Sequence, residues 1–285
     1  MNGKRMTVII LILLLCLNLF LCGYYVYQRD RMNRVPAEKI QQIVNLYEEN
    51  QIDFAFEPEG ESAQGRYLLL GEADLDKLAE TVLDTGYDKS YIYGSKVQYR
   101  AGSVTVITDW QKHQIVYTDE TGEPAEKEKN SWQEKELSEE ERQQLLLPIA
   151  RSFAQKWLGE QVYFAESERR EDKFYFVFCQ MREGAVLYFN QIEIYMAPQG
   201  VTSAVLTYWG IEGESEKSYN LLPMDEILYA QLGMIKKEMK EDTRETVVQV
   251  LEGYELASKE KESLGVPALT IVLESGKKYR MRQLE

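Results

Sequence analysis

Residues 7–27, TVIILILLLCLNLFLCGYYVY, carry no charge and only a few polar side chains. Read as a helix, 21 residues at about 1.5 Å each span roughly 31 Å, close to the hydrocarbon core of a bilayer. Lys4 and Arg5 stand before the run, and Tyr24, Tyr25 and Tyr27 close it ahead of Arg29, Arg31 and Arg34. Aromatic belts followed by cations mark membrane interfaces. The pattern predicts a short cytoplasmic tail (1–6), a transmembrane helix (7–27) and a juxtamembrane linker (28–35). Basic residues on the two flanks nearly balance. The long C-terminal part, which translocates largely regardless of charge, therefore sets the expected orientation: N-terminus cytoplasmic, C-terminal domain extracytoplasmic. The run exceeds the apolar core of a signal peptide and lacks a small-residue cleavage site, so an uncleaved anchor is expected. Large side chains before Cys22 argue against lipoprotein processing there.

Beyond the anchor the pattern alternates between periods of 3.6 and 2. Ile40, Ile43, Val44 and Tyr47 share one face of a helix opened by Pro36. Asp74 is placed to cap a second helix carrying Leu75, Leu78, Ala79, Val82 and Leu83. Residues 67–70, 96–100, 103–108 and 114–118 read as strands. Residues 119–137 (DETGEPAEKEKNSWQEKEL) have no hydrophobic period and read as a charged linker. Ser138-Glu139-Glu140-Glu141 then has the spacing of a capping box. Leu146, Ile149, Phe153 and Trp157 give that helix its buried face, and Pro148, which has no N–H to donate, is expected to kink it. Strands follow at 161–165, 174–180, 185–196 and 201–209. Ile192, Ile194 and Met196 point one way, and Gln191, Glu193 and Tyr195 the other. A helix opened by Pro223, with Leu228, Leu232, Ile235 and Met239 on one face, precedes strands at 246–255, 267–273 and 278–281. The predicted fold is α+β: an N-terminal transmembrane helix, then an extracytoplasmic domain of antiparallel sheets with packed helices. The order of helix then strands occurs in 36–118 and again in 138–285, which is compatible with two similar subdomains.

Charge narrows the function. The chain carries −14 overall, and since Lys4 and Arg5 are the only charges before residue 28, the remainder carries −16. Such a domain repels phosphate, so no nucleic-acid partner is expected. Lipid contact falls to the three juxtamembrane arginines. Two of three cysteines, Cys16 and Cys22, lie in the apolar run, leaving Cys179 alone in an apolar strand, where an inert buried thiol is expected. His113 is the one histidine, and its neighbours Trp110, Gln111, Lys112 and Gln114 suggest a solvated loop. With no ligand spacing, phosphate loop, dinucleotide fingerprint or nucleophile elbow, we expect no metal, cofactor or catalytic residue. Among the carboxylates only Glu193 stands out, on an aromatic-rich strand. Tyr188, Tyr195, Tyr208 and Trp209 offer sugar-stacking faces nearby, although strands select aromatics for packing anyway. A tethered carbohydrate-binding protein or carboxylate-dependent hydrolase is the alternative reading.

Asn18 is the polar residue nearest the middle of the apolar run. It either bonds a carbonyl of its own helix or seeks a partner helix. Leu11, Leu14, Leu21 and Tyr25 share its face, with Leu15 and Cys22 beside them, and the seam resembles an a/d stripe with one register-setting polar residue.

This layout, with Leu17-Asn18-Leu19-Phe20-Leu21 in the anchor, Leu251-Glu252-Gly253-Tyr254, Val266-Pro267-Ala268-Leu269-Thr270-Ile271 and Gly276-Lys277-Lys278-Tyr279, resembles the YycI (WalI) regulators of Gram-positive bacteria, relatives of YycH. The resemblance implies a non-enzymatic accessory protein that adjusts the WalK (YycG) sensor histidine kinase of cell-wall metabolism together with a YycH-like single-pass partner. Carried over, the working surface is the helix face of Leu11, Leu14, Asn18, Leu21 and Tyr25, with the exported domain meeting a partner ectodomain.

Overall fold

Helix and strand signals resolve into one mixed α+β structure dominated by a mainly antiparallel sheet, of 14 strands among the described residues. The structure, a computed structural model, describes residues 13–24, 35–58, 67–83, 86–121, 138–170, 173–197, 200–215, 222, 224–240, 243–259 and 262–283. Its helices are α1 (13–24), α2 (Ala37–Glu49), α3 (Leu75–Leu83), α4 (Glu139–Leu158) and α5 (Met224–Glu238). The strands are β1 (Ile52–Phe54), β2 (Leu68–Gly71), β3 (Asp88–Tyr91), β4 (Lys96–Ala101), β5 (Val104–Asp109), β6 (Gln114–Asp119), β7 (Val162–Arg170) and β8 (Lys173–Arg182), then β9 (Ala185–Ala197), β10 (Gly200–Thr207), β11 (Gly210–Glu214), β12 (Glu245–Lys259), β13 (Glu262–Leu273) and β14 (Lys278–Arg282).

Local chemistry explains the helix starts. The Ser138 hydroxyl accepts from the Glu141 N–H at 3.2 Å and the Glu141 carboxylate accepts from the Ser138 N–H at 2.8 Å, closing the capping box. Asp74 accepts from the Lys77 N–H at 2.9 Å and caps α3. α4 runs through Pro148, which lies on its exposed side. The buried face of α4 is Leu146, Ala150, Ala154 and Trp157, with Ile149 and Phe153 at its margin.

Three units of helix plus antiparallel strands make up the domain: α3 with β3–β6, α4 with β7–β10, and α5 with β12–β14. The first two meet where β6 and β10 pair antiparallel, Val116 opposite Val205, which extends both meanders into one surface. α3 and α4 cover it with a shared core that includes Tyr99, Val106, Phe176, Phe178, Ile192 and Ile194. The third unit is completed by N-terminal chain. β1 pairs parallel with β12, β2 pairs with β13 and β11, and α2 packs with α5 over a second core of Tyr47, Ile52, Leu228, Ile235, Ile271 and Tyr279. The boundary expected at residues 119–137 therefore does not divide the sheet, and 36–118 is split between two cores. The strand pattern found the meanders; the cross-pairings that assign α2, β1 and β2 to the C-terminal half have no local signal.

Strand β9 joins the two regions. Cys179 and Gln180 are adjacent on β8, yet their partners on β9 are Gln191 and Leu187. Tyr188, Phe189 and Asn190 thus have no counterpart, and below them Val186 and Leu187 pair parallel with Gly253 and Tyr254 of β12. An irregularity of this kind bends a strand. Gly253 is needed at the contact, because a Cβ there would sit 2.5 Å from the Val186 carbonyl oxygen and 2.7 Å from the Tyr188 ring.

Candidate functional site

The seam on α1 starts from composition: a helix of leucine with one amide. Leu14, Asn18 and Leu21 lie at helical spacing on it, and all three are exposed. Leu11 and Tyr25, the other two expected members, lie outside the described residues, as do residues 7–12 and 25–27 of the expected span. Leu13, Leu15, Leu17, Leu19 and Phe20 are 54–70 % exposed, so no face of α1 is covered by the folded domain. Among the described residues no helix is long and apolar enough to cross a membrane.

A second polar focus sits at the bend of β9, where sequence reasoning had placed nothing. Asn190 is 1 % exposed. Its amide donates to Gln180 Oε1 at 2.9 Å and to the Trp209 carbonyl at 3.2 Å, and its Oδ1 accepts from the Trp209 N–H at 2.7 Å. Gln180 in turn donates to the Leu158 carbonyl at 3.0 Å at the end of α4. Trp209 lies between β10 of one region and β11 of the other, so this knot ties both regions to the bend. An asparagine in an apolar run was the available signal, but alternation along a strand allots such residues to the wet face by default.

His113 is not the solvated loop residue the sequence suggested. It takes a left-handed conformation (φ 52°) after the short 3-10 turn of Trp110–Lys112, and its ring stacks on Trp209 with centroids 3.5 Å apart and planes 17° apart. Burial against the indole lowers the imidazole pKa, and the charge of Glu72 partly offsets this. The pairing of β6 with β10 makes the stack, which is why the neighbours of His113 gave no hint of it.

Cys179 is 1 % exposed, and burial pushes its thiol up to about 12, with Arg280 and Lys278 opposing. It is a packed side chain. The Lys278 ammonium above it donates to the carbonyls of Phe164 at 2.9 Å and Ala165 at 2.5 Å, and burial lowers its pKa. Glu193 stays on the half-covered face of β9 beside Tyr175, whose phenol is pushed up by burial first and by the charge of Glu193 second. The aromatics expected to offer sugar-stacking faces are dispersed. Tyr188 is buried with its hydroxyl 2.6 Å from that of Thr270, Tyr195 packs on Tyr175, and Tyr208 and Trp209 belong to the bend. Among the described residues no group of three or more His, Cys, Asp or Glu side chains is placed to hold a metal.

No family model and no curated protein matches the chain. Solved structures similar to it include the C-terminal domain of YpeB from Bacillus megaterium, at 14 % identity and a TM-score of 0.37, over 76 % of this chain and 93 % of that one. Another is an uncharacterized protein from Eubacterium rectale, at 12 % identity and a TM-score of 0.40, over 82 % of this chain and 86 % of that one. Likeness at these scores is coarse and assigns no family.

Proposed function

We propose that this chain is a membrane-anchored, non-enzymatic accessory regulator of a sensor histidine kinase controlling cell-wall metabolism. In this reading the helix of 7–27 spans the bilayer with the N-terminus cytoplasmic, and the folded domain is extracytoplasmic. A YycH-like single-pass protein and the kinase are its partners. The observation that carries the reading is the uncovered leucine helix with Asn18 between Leu14 and Leu21.

Full burial of one leucine or phenylalanine side chain is worth about 1.5–3 kcal/mol. Six leucines and one phenylalanine left more than half exposed on α1 forfeit several kcal/mol in water, a large share of the 5–15 kcal/mol typical of a whole domain. A bilayer removes that cost and gives Asn18 a reason to find another helix. Interhelical hydrogen bonds in membranes average about 0.6 kcal/mol and reach about 1.7 kcal/mol, which is roughly three- to sixteen-fold in association. The resemblance of segments 17–21, 251–254, 266–271 and 276–279 to the YycI regulators is the other support for this reading.

The test is a photo-crosslinking residue at Leu15, beside Asn18, in the native bacterium. Adducts with a histidine kinase or a second single-pass protein, lost in Asn18→Leu, are expected. Lipid adducts alone, with a control site crosslinking efficiently, would make the helix a plain anchor and refute a helix-mediated mechanism.

A further inference from the structure

The end of the sheet at β3 carries a feature the regulator reading does not use. Tyr91 and Tyr93 are 78 % and 96 % exposed, Trp110 is 46 % exposed, and Ile92 lies uncovered between the tyrosines. Two loops bring them together, 92–95 between β3 and β4 and 110–113 between β5 and β6. The loops are joined by the Trp110 N–H donating to the Ser95 carbonyl at 3.3 Å and by the opposition of Lys96 to Asp109. Aromatic side chains bury about 150–250 Å² each when covered. The three rings therefore leave several hundred Å² bare, as much as the largest patch on a typical monomer.

The chemistry of the patch is specific. Trp110 is held from behind: its indole N–H donates to Asp76 at 3.3 Å, and Asp76 also accepts from Thr108 at 2.8 Å, so the ring has a fixed orientation and a face to offer. In a chain with 47 carboxylates, residues 91–95 and 110–113 contain none, while Lys112 is exposed. The flanking Asp109 is buried, accepting from Ser95 at 2.9 Å and lying 3.6 Å from Lys96. Loop segments of tyrosine, tryptophan, isoleucine and lysine that carry no carboxylate of their own have the composition that settles at a lipid headgroup boundary, in contrast to the acidic balance of the whole chain.

We infer that the paired loops 92–95 and 110–113, with Tyr91 at the end of β3, form a second, peripheral contact with the bilayer, dipping Tyr91, Tyr93 and Trp110 into the headgroup zone. The inference rests on the anchored reading, since the tether keeps the domain beside one membrane. The spans agree. Six strand spacings of about 4.8 Å separate β3 from β12, roughly 29 Å, and the nine residues 28–36 reach about 30 Å at full extension. Contact at both ends would hold the sheet in a defined attitude to the membrane, which a tether at one end alone does not do.

The full chain, reconstituted in vesicles of phosphatidylcholine and phosphatidylglycerol with or without bromine on the upper acyl chain, tests this. Residues 7–27 contain no tryptophan, and the other tryptophans are Trp132, Trp157 and Trp209, so the anchor itself gives no signal. Bromolipid should quench emission, the quenched share should vanish in Trp110→Phe, and Tyr91→Ser/Tyr93→Ser should reduce it at least twofold. Vesicles that float with the protein but leave Trp110 unquenched would overturn the loop contact while the anchor stands. Protein that does not float would overturn both. A Trp110 emission shift that follows protein concentration or an added N-acetylglucosamine tetramer, with bromolipid inert, would reassign the patch to a second copy or a glycan and overturn the inference.

Discussion

Replacing Asn190 by leucine removes the knot at the bend of β9 while keeping the side chain's approximate volume. Three part-buried groups lose their Asn190 partner: the Trp209 N–H, the Trp209 carbonyl and Gln180 Oε1. Stranding a buried polar group costs about 1–3 kcal/mol. With some recovery from the added apolar surface, the net loss should be about 3 kcal/mol. Unfolding entropy of about 2.1 cal/mol/K per residue over roughly 250 residues is about 0.5 kcal/mol/K, so the expected drop in Tm is about 6 °C. The assay is thermal unfolding of the full chain in detergent followed by circular dichroism, with Gln180→Leu and the double variant alongside. Because the two side chains share one network, the double variant should lose less than the sum of the singles. A shift under about 2 °C for Asn190→Leu, or strict additivity, would show that the bend is held by the packing of Tyr188 and Phe189 and refute the reasoning.

Further outcomes follow from the same geometry. Gly253→Ala should destabilise by about 2–3 kcal/mol, since its Cβ would press on the Val186 carbonyl at 2.5 Å; wild-type stability in a urea titration would mean that β12 and β9 can part there freely. Cys179 should resist maleimide in the folded chain at pH 8 and react only after unfolding in urea; labelling of Cys179 without urea would contradict the buried site. Alkaline pH should weaken the fold. Burial raises Cys179 to about 12, and Tyr117 and Tyr279 to about 12, above the ordinary 9.0 and 10.0. The unfolded chain therefore releases these protons first, and the stability they contribute is intact below about pH 9 and lost progressively from there to about 12; an unchanged urea midpoint between pH 8 and 11 would refute this.

What could be read along the chain was local. Ser138 and Glu141 announce α4, Asp74 announces α3, and the alternation of Ile192, Ile194 and Met196 with polar neighbours marks a strand with one buried face. Each signal depends on residues within a few positions. β1 is three residues long and exists because β12 lies beside it. β3 is exposed along its whole length, so it has no alternation to detect. β11 has two glycines in five residues and a mixed burial pattern. Of the candidate sites, Asn18 was legible because an amide among leucines is conspicuous. Asn190 and His113 were not, because their surroundings are assembled from β6, β8, β10 and the segment at Trp209.

The order in which this sheet is made differs from the order in which it is threaded. Phe54 pairs with Val247, 193 positions later (247 less 54). At synthesis rates of about 5–20 residues per second, β1 waits roughly 10–40 s for its neighbour, and β2 waits about as long for β13. During that interval the third unit does not yet exist, while the α3 and α4 units can complete their own core. The apolar face of α2 around Tyr47 must stay uncovered or be held by something else until the last helix and hairpin arrive. A chain emerging N-terminus first is thus built from the middle outward, and its earliest folded-domain segment is among the last to find its place.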